Sequence, residues 1–418
     1  MNSSTFSSNS GDNPSRYLAW FVAALMAMLG LTAAINLIVD PFRVFRLVEI
    51  RGFNEIKPRA AQRAYLTKEL GVIATKPGNL VLGNSRAEVG FDPESPSWPP
   101  GVTYNAAVAG SGTETALAFL KLGIEQGRLR QVVIGLDFQD FLIDSQLPMQ
   151  DKSPPGGASV TRFSRWWSSI VLGTELALSL DSLLDSLSTV LQQHKSGASD
   201  VTRLGFNPMS DYVALARQDG YGVLFQQRDE ENARNYRRRP HGLFAAGSRT
   251  SAAFEDVREM MGLCTENRLQ CTFIIYPYHV HILELFSLSG LWSYFEDWKR
   301  ELVRVADQGS PAGVRHAVVL WDFSGYHQYA LEPVPRLGDR ATQVNWYWEA
   351  GHFKRALGEK ILAAIYGREA EPIGKRLDEE NIESHLADIR RQQSAFRSTS
   401  PEVAQTMKEI FNLKSATP

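Results

Sequence analysis

The sequence predicts an α/β fold. It reads as a parallel five-stranded sheet with helices on both faces, a partly helical insertion at about 140–250, and an N-terminal transmembrane helix. Three observations predict it. Short apolar runs alternate with segments whose apolar residues recur at helical spacing. One long stretch near the start carries no charge at all. Polar residues with chemical potential fall just after the apolar runs, which in a parallel sheet is a single edge.

Residues 1–16 are rich in Ser and Asn and read as disordered. Tyr17 to Val39 is an uncharged run of about 23 residues, and about 20 suffice to cross the hydrocarbon core as a helix. A cleaved signal peptide is the rival, but its apolar core is usually about 7–15 residues, so the length favours an uncleaved anchor. A charged connector follows at 40–75, then an α/β domain at 76–370, then a charged helical tail at 371–418.

Within the domain, Asn79–Gly83, Val102–Ala107, Gln131–Phe138, Cys271–Tyr276 and Ala317–Trp321 read as buried strands. Thr113–Gln126 places Ala116, Leu117, Leu120 and Ile124 on one helical face. Phe254, Val257, Met261 and Cys264 mark a second helix, Leu291 to Val305 a third, and Phe353–Tyr366 the last. The insertion opens on Ser153-Pro154-Pro155-Gly156-Gly157, a loop signature. It continues with an amphipathic helix on Leu176, Leu180, Leu183, Leu187 and Leu191, and is expected to pack over the carboxyl edge of the sheet. In the tail, Ile382, Leu386 and Ile389 mark a helix and Val403–Leu413 a shorter one, read as a surface helix or an oligomer contact; nothing there suggests chemistry.

With 418 residues and 44% hydrophobic content the chain can bury a large core. Its formal net charge of −2 gives no electrostatic reason to expect nucleic acid as a partner. Cys264 and Cys271 can bridge in an oxidising compartment, although burial as two small apolar residues is favoured. Their spacing fits no zinc site, and neither metal nor cofactor is expected.

The chemistry concentrates in a few residues. Leu80-Val81-Leu82 runs into Gly83-Asn84-Ser85-Arg86, which exposes a serine at a strand end. Far along the chain comes Glu349-Ala350-Gly351-His352. A serine hydroxyl is a weak nucleophile until a base takes its proton, and a carboxylate on the far side of the imidazole holds the base in the right tautomer. Ser85, His352 and Glu349 are therefore the expected catalytic residues. Asn105 to Gly112, Asp137, and His279 with His281 also fall on the strand-end edge. His279 is a candidate to line the pocket, and Arg86 to steer a substrate or tie down an acid.

Together these blocks resemble the SGNH/GDSL hydrolase superfamily, whose members share a flavodoxin-like sheet. Gly83-Asn84-Ser85 is similar to its Gly-Asp-Ser block, Asn105 to Thr113 to its second block, and Glu349-Ala350-Gly351-His352 to its fifth, where aspartate is commoner. The resemblance covers about 75–145 and 250–366. With Trp321-Asp322-Phe323-Ser324-Gly325-Tyr326 included, it is nearest to a membrane-anchored bacterial branch that contains exopolysaccharide O-acetyltransferases. It implies that the backbone N–H groups of Ser85 and Gly110 meet the oxyanion. The third block departs from the pattern: Gly135-Leu136-Asp137-Phe138 has an acid where the superfamily has an amide. An ionised Asp137 has no N–H to give and opposes a developing oxyanion.

The resemblance implies a serine-dependent acyl-ester hydrolase or O-acetyltransferase acting on an exported or surface polysaccharide, with other polysaccharide-assembly proteins as further partners. The alternative from another class is a non-catalytic glycan-binding or scaffold subunit. A phosphate-binding domain is weaker still, because no complete Gly-x-Gly-x-x-Gly pattern accompanies Gly110-Ser111-Gly112. Arg16 before the anchor against Arg43, Arg46 and Arg51 after it would keep the domain cytoplasmic by simple charge counting. An exported substrate instead places it on the periplasmic side of the inner membrane, single-pass.

Overall fold

The computed structural model describes residues 14–144, 171–195, 197–198, 200–237, 241–308, 318–368 and 373–413. Of the expected disorder at 1–16, residues 1–13 lie outside the described residues, whereas 14–16 already belong to the first helix; the Pro-Gly loop at 153–157 also lies outside the described residues. The chain divides into two units. Residues up to Arg59 group with 156–195, and Ala60–Pro155 groups with 196–418. The expected connector and the expected insertion are thus each split between units.

The first unit is built on α1 (Pro14–Val39). It is long and apolar enough to cross a membrane, with a mean hydropathy of 2.3 over its most apolar window. The helix ends where Asp40 turns the chain, its carboxylate accepting from the N–H groups of Val44, Phe45 and Arg46. Against it lies α5 (Leu180–Leu191), capped by the Ser179 hydroxyl. A helix forms over Leu180, Leu183, Leu187 and Leu191 as their spacing predicts, but the expected Leu176 lies before the Ser179 cap, and this part of the insertion belongs with the anchor helix and not with the sheet.

The second unit holds a six-stranded sheet. In chain order its strands are β1 (Asn79–Leu82), β2 (Thr103–Asn105), β3 (Gln131–Leu136), β4 (Gln270–Ile275), β5 (Val318–Asp322) and β6 (Lys375–Leu377). Spatially they run β6-β5-β4-β3-β1-β2. The first five are mutually parallel, and β6 pairs antiparallel with β5. The sequence expectation of five strands misses β6, because Lys375-Arg376-Leu377 is too short and too charged to read as a strand.

The helices of this unit are α2 (Ala64–Thr75), α3 (Ser85–Gly90), α4 (Thr113–Glu125), α6 (Ser210–Asp219), α7 (Tyr221–Arg237) and α8 (Ala252–Glu266). Further along come α9 (Val280–Leu288), α10 (Trp292–Gln308), α11 (Arg355–Ile365), α12 (Ile382–Thr399) and α13 (Pro401–Asn412). They cover the sheet so fully that Leu80–Leu82, Val132–Ile134 and Phe273–Ile275 are all 1% exposed or less. That burial on both faces is why the strands read as continuous apolar runs.

Cys264 at the end of α8 is disulfide-bonded to Cys271 in β4. Both are buried, as expected, but the pair is not the two free thiols favoured from the sequence. A tight turn after α8 brings the chain back within bonding reach, at a Cα–Cα distance of 6.2 Å.

Candidate active site

The strand order reverses direction at β1: β2 lies on one side of it and β3 on the other. A crevice opens at the carboxyl ends of strands at such a point. Gly83 leaves β1 at φ +138°, and a Cβ there would collide with the Tyr276 hydroxyl, so only glycine fits. Asn84 then caps α3, its Oδ1 accepting from Arg86 N–H at 3.1 Å. Ser85 becomes the first residue of the helix.

The histidine reaches it from a hairpin. Tyr347–Glu349 pairs antiparallel with His352–Phe353, and the two-residue turn Ala350-Gly351 sets Glu349 directly opposite His352. His352 Nε2 lies 2.8 Å from Ser85 Oγ. Its Nδ1 is hydrogen-bonded to Glu349 Oε1. The other carboxylate oxygen of Glu349 accepts from Gly351 N–H, and Arg228 Nε stands 3.2 Å from Oε1. Burial alone would raise the Glu349 carboxyl; His352, Arg228 and the Gly351 N–H outweigh it and hold the pKa at about 2. Glu349 is thus an anion that binds the imidazole, the Gly351 N–H and Arg228 together. Phe353, next to the histidine, packs so tightly over Gly90 of α3 that a Cβ on Gly90 would drive into its ring. The hairpin and the serine's helix are locked together at that contact.

Asp137 is buried, and both its oxygens are occupied. Oδ2 accepts from Arg86 Nε at 2.7 Å and Asn84 Nδ2 at 3.0 Å; Oδ1 accepts from the Tyr278 hydroxyl at 3.0 Å and Gln139 N–H at 3.3 Å. It is an anchor for Arg86, not an oxyanion ligand. Arg86 lies under the Tyr278 ring side by side with that carboxylate, and its pKa rises although burial opposes the rise. Its Nη1 is buried with no partner.

Two expected site residues are elsewhere. Asn105 is fully buried and braces α3: its Nδ2 donates to the carbonyls of Ala87 at 2.9 Å and Phe91 at 2.8 Å, and its Oδ1 accepts from Ala107 N–H. An amide sealed under a strand end is consumed by the backbone and has nothing left for a substrate. His279 is also fully buried. It caps α9 and bonds the Glu332 carbonyl at 2.9 Å, with its ring against Phe225 and Tyr347. Burial, with His281 beside it, holds its pKa well below the usual histidine value. His281 forms a separate buried pair with Asp229 at 2.7 Å.

A cavity of about 220 Å³ opens over the serine, lined by Ser85, His352, Arg86, Gly110, Ser111 and Asp137, with Gln139 and Asp140 at its side. Burial and the neighbouring Asp137 raise the Asp140 carboxyl well above its ordinary value. The opposite wall is α7, which contributes Arg228, Asn232 and Asn235. Sequence reasoning missed all three. Their spacing of four and then three residues places them on one helical face; this part of the insertion packs at the carboxyl edge of the sheet as expected, but nothing in the sequence singled out that face as the one turned to the site. Asn232 is 7% exposed, and its Nδ2 has no partner.

No family model matches the chain, and neither does any curated protein or solved structure.

Proposed function

We propose that the chain is a serine-dependent acyl-ester enzyme, an esterase or O-acetyltransferase of exported polysaccharide, with a flavodoxin-like SGNH-type catalytic unit. The observation that carries this is the continuous relay Ser85 Oγ–His352 Nε2 and His352 Nδ1–Glu349, closed by one 2.8 Å hydrogen bond and one charge-assisted bond. That contact favours catalysis over the scaffold alternative, which would leave serine and histidine apart. The order β2-β1-β3-β4-β5 of the parallel strands is the doubly wound order of flavodoxin-like sheets and supports the fold assignment.

In the proposed reaction Ser85 Oγ attacks the acyl carbon while His352 Nε2 takes its proton. The carbon–oxygen bond to the leaving alcohol breaks, and that alkoxide receives the proton from His352. Water or a sugar hydroxyl then repeats the sequence on the acyl-serine, which divides esterase from transferase. Negative charge on the acyl oxygen needs donors aimed at it before the reaction begins. Besides the backbone at Ser85 and Gly110, Asn232 Nδ2 and Arg86 Nη1 are unpartnered donors lining the same cavity. Asn232 supplies the amide that Asp137 cannot.

Two features favour an extracytoplasmic, membrane-anchored setting: the apolar helix α1 and the Cys264–Cys271 bond, which persists in oxidising compartments. The test is turnover of a small acetyl ester by the purified full chain. Ser85→Ala should lose at least about 10³-fold, and a fluorophosphonate probe should label the parent chain but not this variant. Unchanged turnover in Ser85→Ala would overturn the assignment.

A further inference from the structure

The helix α5 is amphipathic the wrong way round for water. The face it turns inward carries Ser182, Ser186 and Thr189, all buried. The face it turns outward carries Leu180, Leu184, Leu187 and Leu191, which are 68%, 66%, 58% and 74% exposed. A helix of a water-soluble unit buries its leucines and shows its hydroxyls. The inversion is what a helix does when its surroundings are apolar and its neighbour offers hydrogen bonds.

That neighbour is α1. Asn36, fully buried three residues from the end of α1, donates from Nδ2 to the carbonyls of Ala177 and Ser179 at 3.0 Å and of Leu176 at 3.3 Å, and its Oδ1 accepts from the Ser186 hydroxyl at 2.9 Å. At 1.5 Å per residue the 26 residues of α1 span about 39 Å, more than the hydrocarbon thickness of about 30 Å, and Asn36 lies in its last turn. The turn that follows α1 exposes Leu47, Val48 and Ile50 as well, with Arg51 next to them. The outward surfaces of α1 and α5, joined through Asn36, are apolar in the same unit of the fold.

We propose that α5 is a second membrane element: it lies in the bilayer beside the last turns of α1, with its leucine stripe in the acyl chains and its hydroxyl face on Asn36. The inference rests on α1 being a membrane span, and it assigns the bilayer lipid, rather than another protein, as the occupant of the stripe. At 12 residues α5 is too short to cross, so it is embedded from one side. Asp185 near its middle is paired with Arg59 at 3.1 Å, which keeps that carboxylate compensated at the interface.

Single cysteines at Leu184, Leu187 or, within α1, Met26 can be labelled with an environment-sensitive fluorophore, since the native cysteines are bonded to each other. The outward leucines touch little, so these replacements leave the fold intact; circular dichroism verifies that for each. With the full chain in phosphatidylcholine–phosphatidylglycerol proteoliposomes, emission from positions 184 and 187 is expected to shift to the blue. It should be lost when the acyl chains are brominated and be insensitive to aqueous iodide, as at Met26. Quenching of 184 and 187 by iodide, with Met26 still lipid-quenched, would overturn the proposal and leave the anchor standing. Blue-shifted emission at 184 and 187 that bromolipid does not touch, with energy transfer between labelled copies, would place a second chain on the stripe and also overturn it. Loss of lipid quenching at Met26 would remove the span and the proposal together.

Discussion

Glu349 sits at the centre of the site's electrostatics, one residue from a turn and wholly out of water. Its carboxyl is held near a pKa of about 2, against about 4.3 in an unfolded chain. A group whose folded pKa is depressed adds stability above the unfolded value and loses it as the pH falls toward the folded one. The protein should therefore weaken progressively between about pH 4 and pH 2. Glu349→Gln should flatten that part of the stability curve, as measured by urea midpoints at a series of pH values. Under the proposed reaction, in which Asn232 donates to the oxyanion, Asn232→Ala should lower kcat by about 10²–10³-fold with little change in KM, because such a donor acts only as charge develops; an unaltered kcat removes Asn232 from the chemistry. Ser85, Glu349 and His352 were legible in the sequence because each lies in a short local signature. Asp137 was visible as an anomaly, and holding Arg86 was one of the roles open to it; the sequence could not choose among them, since Tyr278, which shares the carboxylate with Asn84 and Arg86, comes from a distant segment. Asn105 and His279 misled for a related reason: a polar residue at a strand end looks the same in sequence whether it faces the crevice or the backbone beneath it.

Among the elements, the contact of α3 with the Glu349–His352 hairpin matters most. Gly90 gives up its side chain so that the Phe353 ring can sit on α3, and Gly358 of α11 approaches the Gly90 carbonyl just as closely. Gly90→Ala should cost about 1–3 kcal/mol as an overpacked contact and lower turnover, read by thermal unfolding and ester hydrolysis. Pairing it with Phe353→Leu should recover part of both; no recovery would point to a cause other than this packing. The strands β1 to β5 were legible to within two residues from their apolar runs. The helix α5 was legible as a helix but not in its allegiance, because periodicity reveals that a face is apolar and not what covers it. The short strand β6 left no periodic trace.

In the molecule as a whole, the sheet's far side is secured by charge. Asp322, closing β5, is fully buried between Lys299 Nζ at 2.7 Å and His385 Nε2 at 2.8 Å, and it also accepts from Ser324. Burial favours the protonated acid, but Lys299 and His385 overcome it and hold the carboxyl below its ordinary range. Lys299→Met should cost about 3–5 kcal/mol by stranding that carboxylate, seen as a lower urea midpoint. Lys299→Met with Asp322→Leu should be milder than the single change. His385 belongs to the tail segment that sequence reading set apart from the domain, and through it the tail is part of the domain's structure.

The same segment has a consequence for association. A parallel sheet ends in two strands with unpaired backbone groups, and such margins invite other chains to add on. Here β6 covers the β5 margin with three residues, two of them the exposed cations Lys375 and Arg376. On the opposite margin, Asn105 N–H of β2 is already donated to the Leu204 carbonyl at 2.8 Å. Strand addition would have to displace a loop at one margin or accumulate positive charge at the other. Among the described residues, the sheet margins are thus poor sites for strand addition.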